Sequence, residues 1–195
     1  MRAILFSLAL FAPVVGLAGC SVQGNGQHDN ADVKIQTPFG GMKVKTNEAV
    51  NTAEIGLASY PGATQIKEDK DNGSADVDMN FGNFHLRVKA AGYHTSDSPE
   101  KVKAFYLKDL GRYGDVLECR NNAPVGKRTK TAEGLTCSDD DEHAQVQATS
   151  GNKDFELKAG SKLHQHIVSV EKEANGTKFG LVALELPNTE KSESN

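Results

Sequence analysis

The sequence lacks tryptophan, an excess of positive charge and any long apolar run. Its 195 residues include 22 Lys and Arg against 26 Asp and Glu, a formal net charge of −4. A protein that binds nucleic acid through phosphate contacts carries a basic excess, so this balance argues against nucleic acid as a partner. Hydrophobic residues make up 37% of the chain, and no apolar run reaches the roughly 18 residues of a membrane-spanning helix. These features exclude a polytopic membrane protein and predict one folded domain.

Common catalytic and cofactor-binding motifs are also absent. The sequence contains no G-x-S-x-G, H-E-x-x-H, P-loop or G-x-G-x-x-G pattern, the patterns that position a nucleophile, a zinc ion or a phosphate group. We therefore predict no cofactor and no enzymatic activity, although a catalytic pair of carboxylates has no recognisable sequence pattern.

The N-terminus is typical of a signal peptide. Met1-Arg2 provides a short positive start, and residues 3–15 form an apolar run that is too short to span a bilayer. The segment ends in Leu17-Ala18-Gly19-Cys20, which resembles the lipobox of bacterial lipoproteins. The alternative is ordinary signal cleavage that leaves Cys20 as a free thiol.

The lipobox resemblance implies a location and a membrane anchor. In that family the thiol corresponding to Cys20 receives a diacylglycerol, the chain is cut before the cysteine, and the new amino group is usually acylated, for example with palmitate. The resemblance implies a cell-envelope protein, attached to a membrane by lipid, with its domain outside the cytoplasm. Ser21 stands where some lipoproteins carry an Asp that retains them at the inner membrane, which favours the outer membrane.

The sequence predicts four segments. Residues 1–19 are the signal peptide, and residues 20–31 are the lipidated cysteine with a flexible, polar tether. Residues 32–186 form a single domain, and the polar residues 187–195 form a disordered tail.

Two further cysteines, Cys119 and Cys137, remain once Cys20 is assigned to lipid. An oxidising envelope compartment favours a disulfide between them. The alternatives are a metal site or a redox pair, but the two cysteines lack C-x-x-C spacing and no adjacent histidine completes a zinc site.

One hairpin is predicted on both faces of its strands. A two-residue turn at Gly82-Asn83 places apolar residues opposite apolar residues, and acidic residues opposite basic ones. The facing pairs are Phe81/Phe84, Met79/Leu86, Val77/Val88, Asp78/Arg87 and Asp76/Lys89.

Weaker patterns predict further antiparallel hairpins. Turns at Asn72-Gly73, Gly151-Asn152 and Asn175-Gly176 generate, among other facing pairs, Ile66/Met79, Val146/Leu157, Val170/Leu181 and Ile167/Leu184. An N-terminal hairpin is indicated around Phe39-Gly40-Gly41, with Val33 and Ile35 before the turn and Met42 and Val44 after it.

One amphipathic helix is predicted over residues 98–113. Ser98 suits the N-cap and Pro99 the first helical position, and one apolar face contains Val102, Phe105, Tyr106, Leu110 and Tyr113. The predicted fold is therefore α+β, with antiparallel meanders in a curled sheet and one main helix.

Two short segments carry a second resemblance. Tyr60-Pro61-Gly62-Ala63, followed by a helix with Val102-x-x-Phe105-Tyr106, is similar to a pattern in uncharacterised bacterial envelope proteins. The likeness spans roughly residues 57–186. Because that family has no activity to carry over, the resemblance implies a fold and no function.

Weak metal-binding candidates lie in two places. His164 and His166 would share one face of a strand, but no third ligand is evident. Asp139 and Asp141 lie in a run of acidic residues that lacks the ligand spacing and glycine of a calcium loop. We interpret these as a histidine at the edge of the core and a solvated acidic turn, and predict no metal site.

The strand that carries the two histidines is apolar on both faces. One face of its hairpin has Val168, Val170, Leu181 and Ala183, and the other has Ile167, Val182, Leu184 and Leu186. Such a strand is normally covered on both sides. A single helix cannot cover both faces, so we expect the second face to be covered by curling of the sheet or by another protein chain.

The sequence thus favours a lipid-anchored envelope protein with a non-catalytic structural or protein-interaction role. Its partners would be the membrane, through the N-terminal lipid, and another envelope protein. The alternative is an envelope lipoprotein that binds a cation or a small ligand.

Overall fold

The computed structural model describes residues 20–27, 30–46, 50–67, 73–138 and 154–188. These residues form one sheet with two short or medium helices and a 3₁₀ turn. The strands are β1 Ser21–Gln27, β2 Asn30–Thr37, β3 Gly40–Thr46, β4 Thr64–Gln65, β5 Ala75–Phe81, β6 Phe84–Thr95, β7 Val116–Arg120, β8 Ala123–Pro124, β9 Phe155–Gly160, β10 His164–Glu173 and β11 Gly176–Glu185. The helices are α1 Thr52–Ile55 and α2 Pro99–Leu110, and the 3₁₀ turn is Gly111–Tyr113.

All strand pairings within the described residues are antiparallel. The order across the sheet is β1-β2-β3-β5-β6-β11-β10-β9-β7-β8, and β4 pairs with one end of β6. The path does not return to β1, so the sheet is open. The predicted α+β class with an antiparallel sheet and one main helix is confirmed, whereas curling of the sheet stays a prediction.

The hairpin between β5 and β6 has the predicted register. Phe81 faces Phe84, and the remaining apolar and oppositely charged pairs follow in step. The N-terminal hairpin between β2 and β3 is also confirmed, with Val33 opposite Val44 and Ile35 opposite Met42. Complementary side chains on both faces of the β5–β6 pair explain why its register was predictable.

The hairpin between β10 and β11 differs from its predicted register by two residues. Val170 faces Phe179 rather than Leu181, because the turn is made by residues 174–175 and Gly176 already belongs to β11. Gly176 has φ +132°, and a Cβ there would overlap the backbone carbonyl of Thr95 in β6. Close approach to β6 therefore requires a glycine in the strand. A shift of two residues leaves every side chain on its predicted face.

The hairpin predicted at Asn72-Gly73 is wrong. Residues 68–72 lie outside the described residues, but β4 pairs with β6, and the free edge of β5 pairs with β3. This arrangement sets Asp78 opposite Lys43 and Asp76 opposite Lys45. Opposite charges stabilise such cross-strand pairs, whereas a two-residue turn at Asn72-Gly73 would place Asp69 opposite Asp76 and bring two like charges together.

Part of the hairpin predicted at Gly151-Asn152 lies outside the described residues, including the turn and Val146. Its second strand, β9, is described, and residues Glu156–Ala159 are paired with β10 on one edge and β7 on the other. Both edges of that strand are thus occupied by partners that the turn pattern did not predict.

The predicted flexible tether also differs from the structure. Ser21–Gln27 form strand β1 on β2, with Val22 opposite Ile35. The strand has no apolar alternation because it is an edge strand held by main-chain pairing, and the Val22 side chain is exposed. The predicted tail of residues 187–195 lies mostly outside the described residues.

Helix α2 covers the β9–β11 part of one face of the sheet. Its residues Val102, Tyr106 and Leu110 are fully buried against side chains of β9, β10 and β11. The residues Tyr60 to Ala63 form a turn, in which the Ala63 N–H donates to the Tyr60 carbonyl at 3.2 Å. The Tyr60 ring lies 5.1 Å from Phe105, so both motifs of the second resemblance are core-forming. No helix in the described part of the chain is long and apolar enough to cross a membrane.

Candidate functional site

The Cys119–Cys137 disulfide is present. The two sulfur atoms are bonded and the Cα atoms lie 5.5 Å apart. Both residues are buried with Leu117 in a small apolar cluster. The bridge ties β7 to the irregular segment after β8, so these thiols are committed to a structural bond.

His166 lies in a compact polar cluster at the end of α2. Its ring stacks on Tyr113, with ring centroids 3.7 Å apart and an angle of 14° between the planes. Tyr113 and Arg112 both donate hydrogen bonds to the carbonyl oxygen of Gly56. Gly56 has φ +78°, and a Cβ there would lie 2.7 Å from the Tyr113 hydroxyl, so only glycine fits this junction.

Asp109 completes the cluster. Its carboxylate accepts from the Ala58 N–H at 2.8 Å and from Arg112 at 3.3 Å. These contacts hold the chain after α1 against the end of α2. The cluster borders an open hollow of about 390 Å³ that is lined by Ala53, Gly56, Leu57, Ala58, Arg112 and Tyr113.

Burial lowers the pKa of His166 below its ordinary value, and the positive charge of Arg112 lowers this pKa further. Asp109 acts in the opposite direction but is the weaker influence. Burial and the charge of Arg112 both favour the neutral imidazole. Arg112, Tyr113 and Asp109 all form hydrogen bonds to the chain around Gly56 and Ala58. The main role of the cluster is therefore structural, because it holds the segment after α1 against the end of α2.

The other predicted metal candidates do not join this cluster. His164 is exposed and faces Glu185 across the strand pair, while Asp139 and Asp141 lie outside the described residues. Across the ranges that the structure describes, no three His, Cys, Asp or Glu residues come close enough together to hold a metal ion.

The second face of the sheet carries a separate apolar cluster. Val88, Ile167, Val182 and Leu184 are buried there, with Val77, Leu86, Ala90 and Leu186 packed around them. The two helices α1 and α2 bury their side chains in the cluster on the other face. The prediction that β10 and β11 are apolar on both faces is therefore confirmed.

This second face extends across the sheet towards β1. Register places Ile35, Val44 and Val77 on it, next to Val88, and these residues are half-buried. Val22 in β1 continues the face and is 67% exposed. Exposure thus rises from the centre of the sheet to its β1 edge.

Cys20 lies immediately before this edge strand and is exposed. Its neighbours at that end of the sheet include the two turns that join β2 to β3 and β5 to β6. The Gly82 N–H donates to the Phe39 carbonyl at 3.3 Å and links the two turns.

Comparison with known proteins adds no relative. No protein-family model matches the chain, and no curated protein or solved structure matches it either. The sites therefore rest on their own geometry. Sequence reasoning placed Tyr113 on the helix face but missed Gly56, Asp109 and Arg112 as its partners. Their only sequence signal was the glycine that follows Thr52–Ile55, and a single glycine is too common to indicate a contact.

Proposed function

We propose that the chain is a lipid-anchored protein of the cell envelope and that its α+β domain has a non-catalytic structural or protein-interaction role. The observation that supports the anchor best is Cys20 itself. It follows an apolar leader with a lipobox pattern, and it is exposed directly before the edge strand. The Cys119–Cys137 bridge agrees with an oxidising compartment outside the cytoplasm.

Cys20→Ser tests the anchor in the full-length chain expressed in a bacterium. We expect the wild type to take up labelled palmitate and to enter the membrane fraction, and the variant to lose the label and remain uncleaved or soluble. Ser21→Ala serves as the matched control, because it leaves the cysteine and should leave both results unchanged. Recovery of Cys20→Ser in the membrane fraction at mature size would contradict the proposal.

Sorting to the outer membrane is part of the proposal and rests on Ser21. Separation of inner and outer membranes tests it directly. Ser21→Asp should move the protein towards the inner membrane if the sorting signal operates. Recovery of the wild-type protein at the inner membrane would contradict sorting to the outer membrane but not the lipid anchor.

The interaction role is supported by the second apolar face. Its β1–β3 portion is only half-buried, although it carries Val33, Ile35, Met42 and Val44. A contiguous exposed apolar surface marks an interface when no other element covers it. Curling of the sheet would instead close this face within the monomer.

Neighbouring residues of β2 distinguish these two outcomes. Ile35 lies on the apolar face, whereas Gln36 points to the other face and is exposed. We expect Ile35→Asp to abolish association with the envelope partner while the domain stays folded, and Gln36→Asp to change neither property. Co-purification after cross-linking in cells measures association, and circular dichroism of the delipidated domain measures folding. Unfolding of Ile35→Asp would instead favour a closed, curled core.

A second candidate function, binding of a small ligand or cation, is supported by the hollow beside Tyr113. It places the Arg112 guanidinium at the rim of an open depression. Thermal melts with phosphate, calcium, zinc or a chelator test this candidate, because a ligand raises the melting temperature by mass action. A rise with phosphate that Arg112→Gln abolishes would support it. Unchanged melting temperatures in every condition would eliminate it.

A further inference from the structure

Three exposed phenylalanines lie at one end of the sheet. Phe39 is in the turn between β2 and β3, and Phe81 and Phe84 flank the turn between β5 and β6. Their exposed fractions are 84%, 36% and 39%. Phe81 faces Phe84 directly, and the Gly82–Phe39 hydrogen bond joins the two turns. We name these three side chains the tip cluster.

The strand register brings the tip cluster to the level of Cys20. Ser21 faces Gln36 in β2, so the residue before it is level with Thr37. Thr37 faces Gly40, and Gly40 faces Phe81. Cys20 is thus at the same end of the sheet as the tip cluster, and the three strand spacings from β1 to β5 amount to roughly 14 Å.

This end of the sheet carries no formally charged Asp, Glu, Lys or Arg within the described turns and β1. Residues 35–42, 79–86 and 21–27 have none of these four residue types. The first charged residues inward lie level with one another across four strands and are Lys34, Lys43, Asp78 and Arg87. A surface without such charges can enter the boundary between headgroups and acyl chains, where charged side chains are costly and apolar side chains are favourable.

We propose that the tip cluster inserts into the surface of the membrane that holds the Cys20 lipid, so that the domain stands on its β1–β6 end. This inference rests on the proposed lipid anchor. We assign the lipid bilayer as the surface that the tip cluster contacts, because Cys20 and the exposed phenylalanines lie at the same end of the sheet, and the described part of this end lacks Asp, Glu, Lys and Arg. The acyl chains on Cys20 would keep this end next to the bilayer at all times.

Fluorescence gives a direct test, because the chain contains no tryptophan. Phe39→Trp places a single fluorophore in the tip cluster, at a position exposed enough to accept it. Ala174→Trp is the matched control in the exposed turn between β10 and β11. It lies at the far end of the sheet, about 35 Å away along the twelve residues of β6.

Each lipidated full-length variant is reconstituted into phosphatidylethanolamine and phosphatidylglycerol vesicles whose acyl chains carry bromine. We expect both variants to float with the vesicles. The emission of Phe39→Trp should shift to shorter wavelength and be quenched by the brominated lipid, whereas that of Ala174→Trp should stay unquenched.

Three outcomes would overturn the inference. If both variants float and neither is quenched, the anchor stands but the tip cluster does not enter the bilayer. If Phe39→Trp shifts to shorter wavelength without quenching, the tip cluster packs against protein, such as a second copy of the chain. If the proteins do not float, the lipid anchor itself is wrong, and the membrane contact falls with it.

Discussion

Removal of the disulfide should destabilise the domain by an amount that its loop length sets. The bridge joins two cysteines 18 positions apart. In the chain-entropy model, a loop of that size restricts the unfolded chain by about 3 kcal/mol. Cys119→Ala/Cys137→Ala should therefore lower the free energy of unfolding by about 3 kcal/mol, and the melting temperature by roughly 6–12 °C for a domain of this size. The two residues are 2% exposed, so the lost sulfur atoms also leave a small buried void.

Urea unfolding of the protein, followed by circular dichroism, measures this effect. Wild-type protein in reductant should unfold at nearly the same urea concentration as the double variant, and reductant should not affect the variant. Native material should show no titratable thiol from these two residues after denaturation without reductant. Equal unfolding midpoints for wild type and variant would refute the argument, because the bridge would then not stabilise the domain by restricting the unfolded chain.

Two further predictions concern the half-buried His166 and the buried Leu184, which lie on opposite faces of the sheet. Burial keeps the pKa of His166 below its ordinary 6.5, so the unfolded chain takes up the proton first as pH falls below about 6.5, and the native state loses stability. Urea unfolding at about pH 7 and pH 5 measures this loss of stability, and His166→Phe should make it smaller. The control His164→Gln should leave it unchanged. An equal loss of stability in the wild type and both variants would contradict the role given to His166. Leu184 is 6% exposed, so Leu184→Ala should lower the free energy of unfolding by about 2–5 kcal/mol in the same assay. The control Leu107→Ala, at a more exposed position, should lower it by about 0.5 kcal/mol or less. Equal losses in the two variants would show that the second face is not a packed core.

Local patterns predicted those parts of the fold that depend on nearby residues. The β5–β6 hairpin was predictable because both faces of its strands match when Gly82-Asn83 is the turn. Ser98 and Pro99 likewise marked the start of α2, and Ser98 accepts backbone hydrogen bonds from Lys101 and Val102. In each case the relevant partners are close in sequence, at most 13 positions apart for the predicted pair Asp76 and Lys89.

Distant pairings were not predictable from turns. The pairing of β3 with β5 joins segments on either side of α1 and β4, so no turn sequence marks it. Its signal was the match of Lys43 and Lys45 with Asp78 and Asp76, which becomes visible only when the two strands are compared directly. The same limit hid the pairing of β7 with β9, because the disulfide-bearing segment lies between them.

The polar cluster around His166 had still less sequence signal. Gly56, Asp109 and His166 come from three separate parts of the chain, and their contact depends on where α2 ends over the sheet. The prediction that His166 lies at the edge of the core agrees with its half-buried position in the structure. The stacking on Tyr113 adds a contact that neither residue's position along its own element indicated.

The charges on the sheet determine which of its faces requires a cover. On the helix side, apolar residues of β9–β11 give way to charged residues on β3, β5 and β6, where Lys89 contacts Glu54 at 2.8 Å and Arg87 contacts Asp78 at 3.1 Å. That half of the helix side is therefore suited to water, and α2 has no apolar surface to cover there.

The opposite face stays apolar across the whole width from β10 to β1. An antiparallel sheet commonly leaves its polar face in water while its apolar face is packed on a core. Burial is nearly complete at Val182 but is lost at Val22, beside Cys20. The residues of this face that still need a cover are therefore those of β1–β3. That cover could be the curled sheet itself, a protein partner or a lipid surface. The proposed lipid anchor at Cys20 lies at the same β1 edge. Whatever covers the apolar face there must therefore either displace the membrane from this edge or be the membrane itself.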